Sequence, residues 1–223
     1  MDGSSEWVAV LPMKELARAK MRLAADAGPW RQRLASAFAQ DTVDALRRST
    51  SVRDLVLVGG DLLPAGAVVD LHLHLHLHRL PDVPELNAAV SAGLRWVAAT
   101  RPERPVLVLT CDLPSATASL VDALLAEAPS DRVAVLADSE GSGTVALLIP
   151  AGVVVRPRFG TGSLAAHRAD GAVAITRREF APLRRDVDTV EHLQQARRFG
   201  VGEHTAAVLA AMDRQVSNEV RLR

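Results

Sequence analysis

Pro105 is followed by Val-Leu-Val-Leu-Thr110, four apolar residues in a row before the first hydroxyl. A strand that is apolar on both faces cannot lie against solvent on either side. Such runs belong in parallel sheets covered by helices above and below. Trp7–Leu11, ended by Pro12, and Asp54–Val58, closed by Gly59-Gly60, read in the same way.

Helical spacing fills the intervals between these strands. Leu34, Phe38, Val43 and Leu46 mark a helix over Pro29–Arg48, with Pro29 placed for its start. Helices are also predicted over Asn87–Ala99, Ser115–Ala128 (with Ser115 as N-cap), Ser163–Asp170, Glu191–Phe199 and Glu203–Met212. Further strands are predicted over Arg132–Ala137 and Thr144–Ile149, joined by the turn EGSG, and over Ala172–Ile175 and Arg185–Val187. Alternating strands and helices specify an α/β fold with a mostly parallel sheet and helices on both faces. The 223 residues suit one domain, expected over 1–213, with a polar flexible tail at 214–223. A chain of this length buries about 70% of its unfolded surface and needs no staples.

Bulk properties exclude several function classes. Net charge is zero, so no basic field recruits nucleic acid or anionic membrane. The single cysteine rules out an internal disulfide framework, and Cys111 itself reads as a small buried hydrophobe. The sequence shows neither a signal-peptide pattern nor an apolar run of about 18 residues, so a cytoplasmic location is expected.

In a parallel sheet, ligands bind beyond the carboxyl ends of the strands. After the first strand comes PMKELARAKMRLA, with Lys14, Arg18, Lys20 and Arg22 inside nine residues. These two lysines are the only ones among 26 basic residues. They offer compact point charges for an anion such as phosphate, although a solvated helix face would show the same spacing. After the central strand stands Asp112, at the mouth of the sheet. It suits a hard cation such as Mg²⁺, or alternatively the N-cap of the next helix. Asp186 and Asp188 are two apart, so in a strand they share a face and repel unless a cation or an arginine lies between them. The alternative gives Asp188 to a helix cap and Asp186 to a local arginine. Together the three acids form the pattern expected where a metal bridges phosphates during transfer. Arg156-Pro-Arg-Phe-Gly160-Thr-Gly-Ser163 adds glycines, hydroxyls and arginines where a helix opens, a weaker anion signal.

Ala67–His78 has a strict period of two, with His72, His74, His76 and His78 on one face. Neighbouring imidazoles would be about 7 Å apart, so one ion could meet two at best. A half-buried edge strand is the plainer reading.

The ordered segments VAVLPMKELARAKMRLA, PELNAAV, VLTCDLPS, GSGTVAL, RPRFGTGSLAAH and RRDVDT closely resemble the 2-phospho-L-lactate/phosphoenolpyruvate guanylyltransferases (CofC type) of coenzyme F-420 biosynthesis. The resemblance runs from about residue 7 to 210. It implies a Rossmann-like nucleotidyltransferase fold of the glycosyltransferase-A type. It also implies GMP transfer from GTP to the phosphate of phosphoenolpyruvate, 2-phospho-L-lactate or 3-phosphoglycerate, with release of pyrophosphate. On that resemblance Lys14, Lys20 and Arg22 bind and act on the nucleotide phosphates, and Asn87 contacts the base or ribose. Asp112, Asp186 and Asp188 hold Mg²⁺, and Thr144, Gly160 and Ser163 cradle the phospho-acid. The expected partners are GTP, the phospho-acid and a downstream transferase of the pathway, with the oligomer open between monomer and homodimer. The competing readings are another nucleotidyltransferase, such as a molybdenum-cofactor guanylyltransferase, and a non-catalytic metal-binding module using the histidine face.

Overall fold

A computed structural model of the chain describes residues 6–13, 28–59, 63 and 75–221. The strands are β1 (Trp7–Pro12), β2 (Val52–Val58), β3 (His76–Leu80), β4 (Val106–Leu109), β5 (Ala134–Ala137), β6 (Thr144–Ile149) and β7 (Val173–Ile175). The helices are α1 (Arg31–Arg48), α2 (Leu86–Thr100), α3 (Ala118–Ala126), α4 (Ser163–Ala169), α5 (Ala181–Arg184), α6 (Val190–Phe199) and α7 (Glu203–Arg221). The seven strands form one sheet in the order β3-β2-β1-β4-β6-β5-β7.

Alternate residues of β1 serve opposite faces. Ala9 and Leu11 pack with Ala35, Ala39 and Val43 of α1 and with Val121 and Leu124 of α3. Val8 and Val10 pack with Ala89, Val90 and Val97 of α2. Both faces are therefore covered, as the apolar strands require. Leu107 and Leu109 of β4 are fully buried, each contributing about 1.5–3 kcal/mol of apolar transfer. Gly93 lets α2 approach β1 closely, since a Cβ there would lie 2.4 Å from Val10 Cγ1. A smaller cluster joins Leu34 and Phe38 of α1 to Leu193 of α6 and Leu209 of α7.

One strand departs from the parallel pattern. β6 runs antiparallel to β4 and to β5, between which it lies. The link from β5 to β6 is only residues 138–143, too short for a parallel crossover. Asp138 organises that turn, accepting Ser142 N–H at 2.9 Å and Gly143 N–H at 2.8 Å.

Three sequence expectations are corrected. The N-cap of α3 is Thr117, not Ser115, and its side chain accepts Leu120 N–H at 3.3 Å. Ser115 is buried and donates to the carbonyl of Ala196 instead. Arg185–Val187 is not a sheet strand but a connection between α5 and α6. The last helix does not stop at Met212 but continues to Arg221.

The histidine stretch is described from residue 75 onward, so His72 and His74 lie outside the described residues. His76 is exposed on β3. His78 has its Nε2 2.8 Å from Asp54 Oδ1, and its ring centroid is 4.2 Å from that of Trp96. Asp54 is fully buried and also meets Arg104 at 2.6 Å. His78 is thus part of a polar cluster of the fold with Asp54 and Arg104.

Candidate active site

Asp112 lies three residues beyond β4, on a segment held from several sides. Leu113 is fully buried, and its N–H donates to the Thr42 hydroxyl of α1 at 3.3 Å. Thr42 in turn donates to Phe38 O at 2.8 Å. Gly202 N–H donates to Pro114 O at 2.8 Å, and Val187 N–H donates to Asp112 O at 3.2 Å. The capping alternative for Asp112 does not hold, because Thr117 takes that role.

Asp186 and Asp188 sit on the α5–α6 connection, where fixed neighbours do what a strand ladder was expected to do. Val187 between them is fully buried. Arg184 donates to the carbonyls of Ala137 and Asp138 at the end of β5, at 3.2 and 3.0 Å. Arg185 pairs with Glu140 at 2.7 Å. Burial raises the Glu140 carboxyl, but the Arg185 bond and charge outweigh it and leave the group below the usual range. Asp188 N–H points at His192 Nδ1 at 3.4 Å, and Thr189 caps α6 by accepting His192 N–H. Asp188 is therefore not the cap.

These constraints gather one carboxylate oxygen each from Asp112, Asp186 and Asp188 within 4.8 Å of one another. All three side chains are half-buried. The donor set is oxygen only and carries three formal charges, which suits a hard divalent cation rather than zinc. Like-charged groups at this spacing are costly without a cation between them. The cluster therefore fits a divalent metal.

Thr144 opens β6 at the same end of the sheet, since Thr110 N–H, two residues before Asp112, donates to Val145 O at 3.0 Å. Its hydroxyl is 3.1 Å from His167 Nδ1. The other ring nitrogen of His167, Nε2, accepts Arg158 N–H at 3.1 Å. Ser163 is 1% exposed, and its hydroxyl has no hydrogen-bond partner. Gly160 adopts φ +125°, a conformation open to glycine and strained for other residues. The segment thus presents a buried free hydroxyl beside a left-handed turn.

Asn87, expected to contact the nucleotide, holds this segment. Its amide nitrogen donates to Phe159 O at 2.9 Å and its amide oxygen accepts Phe159 N–H at 2.7 Å. Lys14, Lys20 and Arg22 lie outside the described residues. Thr42, which helps to orient the site, carried no signal in the sequence, whereas His167, Arg184 and Arg185 stood inside the segments RPRFGTGSLAAH and RRDVDT without a role of their own. His167 stands four residues after Ser163 and so on the same helical face.

Residues 29–199 match the MobA-like NTP transferase domain family. A phosphoenolpyruvate guanylyltransferase of Thermomonospora curvata is 39% identical over 213 residues, covering 95% of this chain and 92% of the relative. Another, of Streptomyces coelicolor, is 41% identical over 217 residues, covering 93% and 97%. The chain belongs to the phosphoenolpyruvate guanylyltransferase family. It is a nucleotidyltransferase by family. A Desulfovibrio desulfuricans G20 structure assigned as a nucleotide-diphospho-sugar transferase shares the fold, with a TM-score of 0.66 at 17% identity, covering 96% of this chain and 98% of that one. Among the described residues, no helix of this guanylyltransferase family member is long and apolar enough to cross a membrane.

Proposed function

We propose that this chain transfers GMP from GTP to the phosphate of phosphoenolpyruvate in the biosynthesis of coenzyme F-420, a reading supported by relatives named phosphoenolpyruvate guanylyltransferase. The observation that carries the reading is the carboxylate cluster of Asp112, Asp186 and Asp188 at the same sheet end as the Thr144 hydroxyl. A phosphate oxygen of phosphoenolpyruvate attacks the α-phosphorus of GTP. The bond from that phosphorus to the bridging oxygen breaks, and pyrophosphate leaves with the electron pair. The nucleophile is already anionic, so no strong general base is needed.

The barrier is one of bringing anions together in line, so catalysis is positioning and electrostatics. Asp112, Asp186 and Asp188 would hold Mg²⁺. Bound there, Mg²⁺ supplies charge neutralisation to the nucleotide phosphates. Lys14, Lys20 and Arg22 are assigned to the phosphates and the departing pyrophosphate by resemblance. Thr144, Gly160 and Ser163 are assigned to the phospho-acid, supported by the free Ser163 hydroxyl and the open turn at Gly160. Asn87 supports the same wall through the backbone of Phe159.

The test is pyrophosphate release from GTP and Mg²⁺ with phosphoenolpyruvate, 2-phospho-L-lactate or 3-phosphoglycerate. Release is expected, highest with phosphoenolpyruvate. No release with any of the three, from folded protein, sinks the reading.

A further inference from the structure

His167 is used at both ring nitrogens, and this decides where its proton lies. The Arg158 N–H approaches Nε2 at 3.1 Å, and an N–H can be accepted only by a bare nitrogen. In the neutral ring the proton is then on Nδ1, which faces the Thr144 hydroxyl at 3.1 Å. Nδ1–H donates and Thr144 Oγ1 accepts. The Thr144 hydrogen is left to point elsewhere, and no other described residue receives it. Ser163, one turn earlier on the same face of α4, adds a second buried hydroxyl with no partner.

We infer that His167 is a positioning residue for the acceptor: as the neutral Nδ1–H tautomer it holds Thr144 as a donor to an anionic oxygen of the phospho-acid, while pinning the backbone at Arg158. This rests on the function proposed above and extends it to a side chain outside the substrate contacts. A hydroxyl kept in the donor state favours a phosphate or carboxylate oxygen over a group that must itself donate.

The surroundings keep the ring neutral. Burial pushes its pKa down, Asp170 opposes that, and Arg158 adds to it. Arg158 and Asp170 are themselves paired at 2.5 Å, Arg156 acts on Asp170, and Phe159 meets the ring edge-on with centroids 5.4 Å apart. Protonation would set an Nε2–H against the Arg158 N–H. The phospho-acid KM should therefore rise as pH falls.

Two substitutions separate the two nitrogens. His167→Asn keeps an amide donor near the place of Nδ1, and His167→Gln reaches the place of Nε2 but leaves Thr144 without its donor. His167→Gln is expected to raise the KM for phosphoenolpyruvate about tenfold, leaving kcat and the KM for GTP within about twofold. His167→Asn should rescue most of that loss and abolish the acid limb of the KM profile. In a Thr144→Val background, His167→Gln should cost less than about twofold more, because the pair acts as one unit. Equal effects on both KM values, additive losses, or no rescue by asparagine would overturn the inference.

A second readout needs no turnover. The chain has seven histidines, so the His167 signals in the ¹⁵N imidazole spectrum are assigned by their loss in His167→Asn. A proton on Nδ1 is expected, and a proton on Nε2 overturns the inference alone. The Nδ1 tautomer in an enzyme inactive with every phospho-acid would overturn the proposed function, and the acceptor role with it.

Discussion

The main-chain N–H of Val187 donates to the carbonyl of Asp112 at 3.2 Å, so the two acid-bearing segments are joined through their backbones. Side-chain changes at the acids should therefore leave the scaffold in place. Asp112→Asn and Asp188→Asn are each expected to lower kcat/KM at least about 10²-fold and to raise the Mg²⁺ concentration needed for half-maximal rate. Circular dichroism and thermal unfolding should stay close to the parent. An unchanged rate removes the residue from the metal site.

Asn87 contacts Phe159 at both ends of its amide. Its replacement by alanine frees the segment that carries Gly160 and Ser163. The expected result is a rise in the KM for phosphoenolpyruvate of about tenfold, from two lost hydrogen bonds, with a smaller change for GTP. A larger effect on GTP would return Asn87 to the nucleotide.

Asp41, buried on α1, accepts His204 N–H and Thr205 N–H at 3.0 Å each and so caps α7 from another helix. Burial raises its carboxyl above the ordinary 3.8, and the Thr205 and His204 hydrogen bonds oppose this only in part. A raised folded pKa means that the stability from this proton linkage is present below 3.8 and is lost as pH rises through the folded value. Asp41→Asn cannot titrate, so the stability of the wild type relative to it should fall over that window. Urea unfolding across the acidic range measures the difference. Asp41→Ala, which removes both acceptors, should cost about 1–3 kcal/mol.

Asp122 behaves in the opposite sense. Burial would raise it, but Ser49, Thr50 and Ser51 donate to its two oxygens and together hold the carboxyl below the usual range. A lowered folded pKa gives stability that is present above 3.8 and lost as pH falls through the folded value. Asp122→Ala should cost about 1–3 kcal/mol at neutral pH and progressively less in acid. A pH-independent difference would contradict this.

Much of the fold was legible because burial writes itself into composition. The run from Val106 to Leu109 could only be an interior strand, and the apolar spacing through Leu34, Phe38 and Leu46 marked α1. Asp112 stood out for a different reason, as an acid following a strand end, whereas Asp186 and Asp188 stood out as a pair two apart, read onto a strand that the fold does not contain. What was not legible depended on partners distant in sequence. Nothing near Asp186 announces that it stands on a connection tied down by Arg184 to β5 and by Arg185 to Glu140. Ser115 and Thr117 are both acceptable caps, and the choice turned on Ser115 finding the carbonyl of Ala196. The grip of Asn87 on Phe159 was not legible either, because the segment that it holds is 72 residues away.

The reversal of β6 decides how the site is divided along the chain. Because the strand doubles back, Thr144, Gly160, Ser163 and His167 all fall within one unbroken stretch from β5 to β7. On the proposed reading that stretch is a cassette for the acceptor, while the acids lie outside it. Its tie to α2 at the site is the grip of Asn87 on Phe159. A lineage could exchange the cassette, keep the nucleotide chemistry, and acquire a new phospho-acid by recombination rather than by slow reshaping of the whole pocket.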